Sequence, residues 1–187
     1  MAIFVIHSIF MVTVKRHLTV NRNSNLFYFI EMNFKYKMLI IAENINMVNI
    51  NVSPEYGYVV MVGTGMVFVN LWKMMKIGGL RKKLNIKYPT MYSDEHPIFN
   101  CYQRAHQNTL EFVPYFYPAL LTAGLRHPIG AAIAGSVFCV GRVIYAIGYQ
   151  SGDPEKRVPG ALISEVFGLL PLLGMSVSFG AGLLGWW

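Results

Sequence analysis

The chain has 187 residues, 54% of them hydrophobic and 13% charged, with a formal net charge of +7. Soluble domains carry roughly a quarter charged residues, so this composition argues against one and for a membrane protein. The surplus lysines and arginines lie between apolar stretches, where membrane topology accounts for them, and nucleic-acid binding is set aside.

Residues 1–53 read as an Asn-rich N-terminal extension, with NINMVNINV at 44–52 and no clean helical period. The opening MAIFVIHSIFMVTV is apolar but short, with no basic residue before it and no small-residue cleavage site after it, so it makes a poor signal peptide. An upstream start, with Met47 as the natural one, is the favoured reading; a weak signal anchor is the alternative. The sequon at Asn51 is followed by Pro54 after Ser53, which argues against its use.

Residues 54–187 hold four apolar runs: Tyr56 to Met75, Ile98 to Leu125, His127 to Tyr149 and Gly160 to Trp187. Each approaches the ~20 residues that cross a bilayer as a helix, and helix is required because lipid offers no partner to an unpaired backbone group. The expected fold is an all-α integral membrane four-helix bundle whose Gly and Ala residues permit close helix approach. The first connection, KIGGLRKKLNIKYPT, and the third, QSGDPEKRVP, carry more Lys and Arg than the second, which has Arg126. That side is expected to be cytosolic. Cys101 and Cys139 sit at a helix start and in an apolar run, so neither a disulfide nor a redox motif is expected. Asp94, Glu95 and His96 read as a solvated loop, and no metal site is expected.

The run RAHQNTLE at 104–111 interrupts this pattern. On a helix, Arg104, Asn108 and Glu111 fall at i, i+4 and i+7 and share a face. An ionised residue within a span costs roughly 2.5–3.5 kcal/mol, and such residues normally face a protein interior or polar cavity. Arg142, Tyr145 and Tyr149 form a second such set on the third run. One reading is mutual satisfaction, Arg104 with Glu111 and Arg142 with Glu165. The other is a pocket for a small zwitterion carrying more negative than positive charge, since arginine forks hold carboxylates and Glu111 suits an amine.

FNCYQRAHQNTLEFVPYF and VGRVIYAIGYQSGDPEKRVPGAL resemble the membrane-bound glutathione transferases of the MAPEG superfamily. The EYGYVV opening, the RKKLNIKYPTMYS loop and RAHQNTLE are most similar to its microsomal type 3 branch. The resemblance covers residues 54–187. It implies a homotrimer in the endoplasmic reticulum, nuclear envelope or outer mitochondrial membrane, with glutathione as co-substrate bound between subunits and facing the cytosol. It assigns glutathione binding to Arg104, Asn108, Glu111, Arg142, Tyr145 and Tyr149, and to one of Arg81, Lys82 or Lys83. It assigns thiolate stabilisation to Arg157, with Lys156 the ungapped alternative. The implied activity is conjugation of lipophilic electrophiles, including leukotriene C4-type synthesis, or reduction of lipid hydroperoxides. Phe112 stands where the leukotriene-synthase branch has tyrosine, and His106 and Ile147 replace polar positions, so the substrate is less constrained than the cofactor. A non-catalytic lipid-binding scaffold, like the lipoxygenase-activating protein of the same superfamily, is the rival reading.

A chain started at Met47 is expected to insert, assemble and bind glutathione as the full chain does. Loss of binding in that truncation, measured by calorimetry in detergent, would give residues 1–46 a role that their pattern does not suggest.

Overall fold

The structure, a computed structural model, describes residues 32–33 and 52–186. The chain divides into a unit of residues 1–50 and one of residues 51–187, and the helices below belong to the second. The readings of residues 1–46 and of the sequon at Asn51 lie outside the described residues.

Four helical stretches follow one another: α1 (Tyr56–Lys83), α2 (Pro97–Arg126), α3 (Pro128–Gln150) and α4 (Pro154–Leu183). Three of the four begin on proline, where the missing N–H is no loss. His127 alone separates α2 from α3, so the chain reverses there, and short connections return it at the other end. The up-and-down order therefore gathers the C-terminal end of α1, the N-terminal end of α2, the C-terminal end of α3 and the N-terminal end of α4 at one end of the bundle.

α1 runs further than the apolar pattern suggested. Lys76, Gly78, Gly79 and the Arg81-Lys82-Lys83 cluster, expected in a loop, occupy its last turns. Glycine in a helix costs only about 1 kcal/mol, and cations suit the negative end of the helix dipole. The stop comes at Asn85, which adopts φ 54°. Ile86 N–H donates to Arg81 O at 3.0 Å and Asn85 N–H to Lys82 O at 3.3 Å, the paired bonds of a left-handed helix terminus. The fourth helix is extended at its other terminus: it begins at Pro154 rather than Gly160, and its final turn ends at Leu183.

This is an integral membrane protein with three candidate spans. α1, α3 and α4 are long and apolar enough to cross a bilayer. At 30 residues α2 is long enough as well, but the polar run from Gln103 to Glu111 takes it out of that class. It packs against all three of the others. Its lower half meets Met66, Phe138 and Leu172 in the apolar core through Phe116, Ala119 and Leu120; Phe116 and Phe138 stack at 4.4 Å between centroids.

α3 and α4 approach closely because the contacts are glycines. A Cβ on Gly141 would lie 2.5 Å from Ser164 N, and one on Gly168 would lie 2.7 Å from Phe138 Cα. Backbone cannot yield as a side chain can, so these positions, together with Gly160 against Tyr145 and Gly148 against Lys156, set the helix separation. Across Ser164 and Gly168 α4 takes a π-helical stretch, Ile163–Leu169, which carries Glu165.

Gly141→Val is expected to destabilise the bundle by about 1–3 kcal/mol through overpacking. Gly174→Ala, where a Cβ meets nothing within 4 Å, should change stability by no more than about 1 kcal/mol. Thermal unfolding in mild detergent distinguishes the two; equal effects would show that helix separation is not set at Gly141.

Candidate functional site

The centre of the polar cluster is Arg142 on α3, whose side chain has no exposed surface. Its Nη1 donates to Asn108 Oδ1 of α2 at 2.8 Å. Its Nη2 faces Glu165 Oε1 of α4 at 3.5 Å. That contact is a charge pairing without hydrogen-bond geometry, and Nε and Nη2 have no hydrogen-bond partner. Aromatic rings supply the rest of its surroundings. The guanidinium carbon lies 3.9 Å from the Phe112 ring centroid, 5.2 Å from Phe138 and 5.5 Å from Tyr145, all within cation–π range.

From Arg142 the cluster extends in two directions. Asn108 Nδ2 donates to Glu111 Oε2 at 3.2 Å, and Arg104 Nη1 pairs with Glu111 Oε1 at 3.1 Å. The shared helix face inferred from the spacing is thus a bonded triad, and both mutual pairings named as alternatives are present. Arg104 and Glu111 are 42% and 53% exposed in their side chains, so this arm opens outward while Arg142 does not. In the other direction Tyr145 meets Tyr149 edge-on at 5.8 Å, and Arg157 lies over the Tyr149 ring at 5.1 Å. Arg157 Nη1 also donates to Pro154 O at 2.8 Å. Arg104, Arg142 and Arg157 are all in electrostatic reach of the buried Tyr145.

Six of the expected residues, Arg104, Asn108, Glu111, Arg142, Tyr145 and Tyr149, therefore lie in one cluster, with Arg157 at its edge. Lys156 instead turns to Asp153 at 3.8 Å on the exposed surface. Arg81 is elsewhere occupied. It is buried, donates to Ile86 O and Lys87 O at 3.5 and 3.4 Å, and stacks on Tyr88 and Phe99. Its visible work is to close the turn after α1. Lys82 is exposed on the last turn of α1. None of the hydrogen bonds or ion pairs of the described residues joins Arg81 or Lys82 to the cluster.

Lys73 of α1 was not anticipated. It is fully buried and donates to Thr109 Oγ1, and Thr109 Oγ1 donates to Ala105 O. The signal was present in the sequence, since a lysine inside an apolar run is a functional candidate by default.

Fold and cluster together define an all-helical integral membrane protein with ionisable side chains built into its interior. The chain belongs to the MAPEG family, which it matches over residues 59–180. It is 33% identical over 106 residues to an uncharacterized protein of Synechocystis, sll1147, covering 56% of this chain and 75% of that protein. Over 102 residues it is 33% identical to human microsomal glutathione S-transferase 2, covering 54% of this chain and 67% of the relative.

Asn108 and Arg142 are expected to be energetically coupled. A double-mutant cycle of Asn108→Ala and Arg142→Met, read by unfolding in detergent, should give an interaction energy of about 0.5–3 kcal/mol. Strict additivity would mean that the 2.8 Å bond contributes nothing that water does not replace.

Proposed function

We propose that the chain is a membrane-bound glutathione transferase with glutathione-dependent peroxidase activity, related most nearly to the microsomal type 3 branch and working as a homotrimer. The observation that carries this reading is the outward-opening arm of the cluster, Arg104–Glu111–Asn108, continuous with buried Arg142 and ending at Tyr149 beneath Arg157. Arginine forks are suited to the two carboxylates of glutathione and Glu111 to its amine. The family match and the likeness to human microsomal glutathione S-transferase 2 support the same ligand. The type 3 assignment rests on the EYGYVV, RKKLNIKYPTMYS and RAHQNTLE segments.

Arg157 is the residue assigned to the sulfur. A free thiol with a pKa near ~8.5 is mostly protonated at neutral pH, and the thiolate is the nucleophile. An opposite charge a few ångströms away lowers a pKa by about 1–3 units. The sulfur then forms a bond to an electrophilic carbon as the leaving group departs or an adjacent double bond takes up a proton. With a hydroperoxide, two glutathiones are oxidised to the disulfide while the O–O bond is reduced to an alcohol and water. An open apolar groove between α1 and α3, lined by Val62, Gly65, Cys139 and Val143 among others, offers a lipophilic co-substrate a surface on the lipid side. The basic residue from the end of α1 is supplied by a neighbouring protomer, since no hydrogen bond or ion pair of the described residues joins Arg81 or Lys82 to the cluster of their own chain. The proposed setting is the endoplasmic reticulum or nuclear envelope, with the basic end of the bundle toward the cytosol.

A lipid-binding scaffold needs no group at the sulfur, so Arg157 separates the two readings. In Arg157→Ala, glutathione binding should largely persist while the bound thiol titrates nearer its free value. Each unit of that rise cuts the thiolate present at neutral pH by up to about tenfold, the full factor being reached once the pKa lies well above ~7. Turnover should accordingly fall at pH 7 and recover in part as pH rises, with KM for glutathione little changed. Glu111→Leu should instead weaken glutathione binding. Thiolate absorbance and turnover of the purified protein against pH provide the measurements. An Arg157→Ala titration identical to wild type would remove this residue from the chemistry.

A further inference from the structure

Lys73 is enclosed in the bundle, and no carboxylate pairs with it among the described residues. Its hydrogen bond goes to the hydroxyl of Thr109. The ionisable groups facing it are His106 from α2 and Cys139 and Arg142 from α3. Arg142 is bonded to Asn108 and Lys73 to Thr109, so two buried basic side chains are tied to consecutive residues of one helix. Each buried ion costs several kcal/mol in desolvation even after relaxation, and two of like sign in mutual reach repel as well. Packing alone gives no reason for such a pair; an apolar residue on α1 would fill the same space at lower cost.

The charges of the cluster supply a reason. Arg104 pairs with Glu111 and Arg142 with Glu165, while Lys73, bonded to Thr109, and Arg157, over Tyr149, have no carboxylate in the ion pairs of the described residues; with both protonated the cluster carries an excess of two positive charges. Without Lys73 the excess is one. Glutathione with its thiol intact carries one net negative charge, and its thiolate form carries one more. In a low-dielectric interior a fixed charge acts over longer distances than in water. Resting on the transferase reading, we propose that Lys73 is a positioning residue whose buried charge, set beside Arg142 and anchored on Thr109, raises the potential of the polar cluster and favours the thiolate form of bound glutathione. The role is electrostatic and needs no contact with the ligand: Lys73 is bonded to Thr109, whereas the open arm connects to Arg142 through Asn108.

The test uses the full-length protein in lipid nanodiscs, with glutathione as the probe and thiolate absorbance titrated against pH. Lys73→Met keeps the side-chain length and removes the charge. Its titration midpoint should rise by about half a unit or more, and kcat at neutral pH should fall about twofold for a midpoint starting near ~7, with KM for glutathione little changed. Lys73→Arg, which keeps the charge, should hold the midpoint near that of wild type. If Lys73→Met does not assemble, Lys73→Gln keeps a donor for Thr109 and carries the same expectation. A lower melting temperature with an unmoved midpoint in Lys73→Met or Lys73→Gln overturns the proposal, makes Lys73 a structural residue and leaves the transferase reading intact. A wild type that does not bind glutathione overturns that reading and this proposal with it.

Discussion

A guanidinium held inside a lipid-spanning bundle cannot turn to water, and the arrangement around Arg142 follows from that constraint. Its hydrogen bond comes from α2 through Asn108 and its counter-charge from α4 through Glu165. Its faces are covered by Phe112, Phe138 and Tyr145. Three helices must therefore meet at one depth in a fixed rotation. Removing one partner of such a buried pairing typically costs about 3–5 kcal/mol, whereas replacing the whole group by apolar residues can be neutral. Retaining it is thus poor evidence for stability and better evidence for a site.

The glycines of α3 and α4 make the meeting possible. With Gly141 against Ser164 and Gly168 against Phe138, the two backbones pack without side chains between them. The π-helical stretch Ile163–Leu169, which contains both Ser164 and Gly168, changes the helical phase of α4 over that interval. Such insertions are frequent at functional sites, and here one carries Glu165. Close packing, local helix irregularity and the ion pair therefore belong to one device.

Polarity is graded along α2. Its C-terminal half is apolar core, while its N-terminal half carries Gln103, Arg104, Asn108 and Glu111. This gradient excludes α2 from the apolar spans and places charge at the same end as the basic turns of α1 and the start of α4. An anionic ligand approaching that end meets the exposed Arg104–Glu111 pair before the enclosed Arg142. Burial is thus graded from surface to interior within a single connected set of side chains.

The sequence by itself determined the four helices, because apolar runs bounded by proline and glycine have few alternatives in lipid. It also determined that Arg104, Asn108 and Glu111 share a face, since that is a property of one helix and its period. The run from Lys76 to Lys83 misled because glycine pairs and lysines resemble a loop, although nothing in them stops a helix before Asn85 does. Only the tertiary structure decided what each face meets. That Arg142 is bonded to Asn108, that Arg81 is taken up by the turn following α1, and that Lys73 is enclosed beside Thr109 all depend on helix rotation and separation. Those are fixed by glycine contacts and ring packing between residues far apart in the chain, which helical periodicity cannot encode.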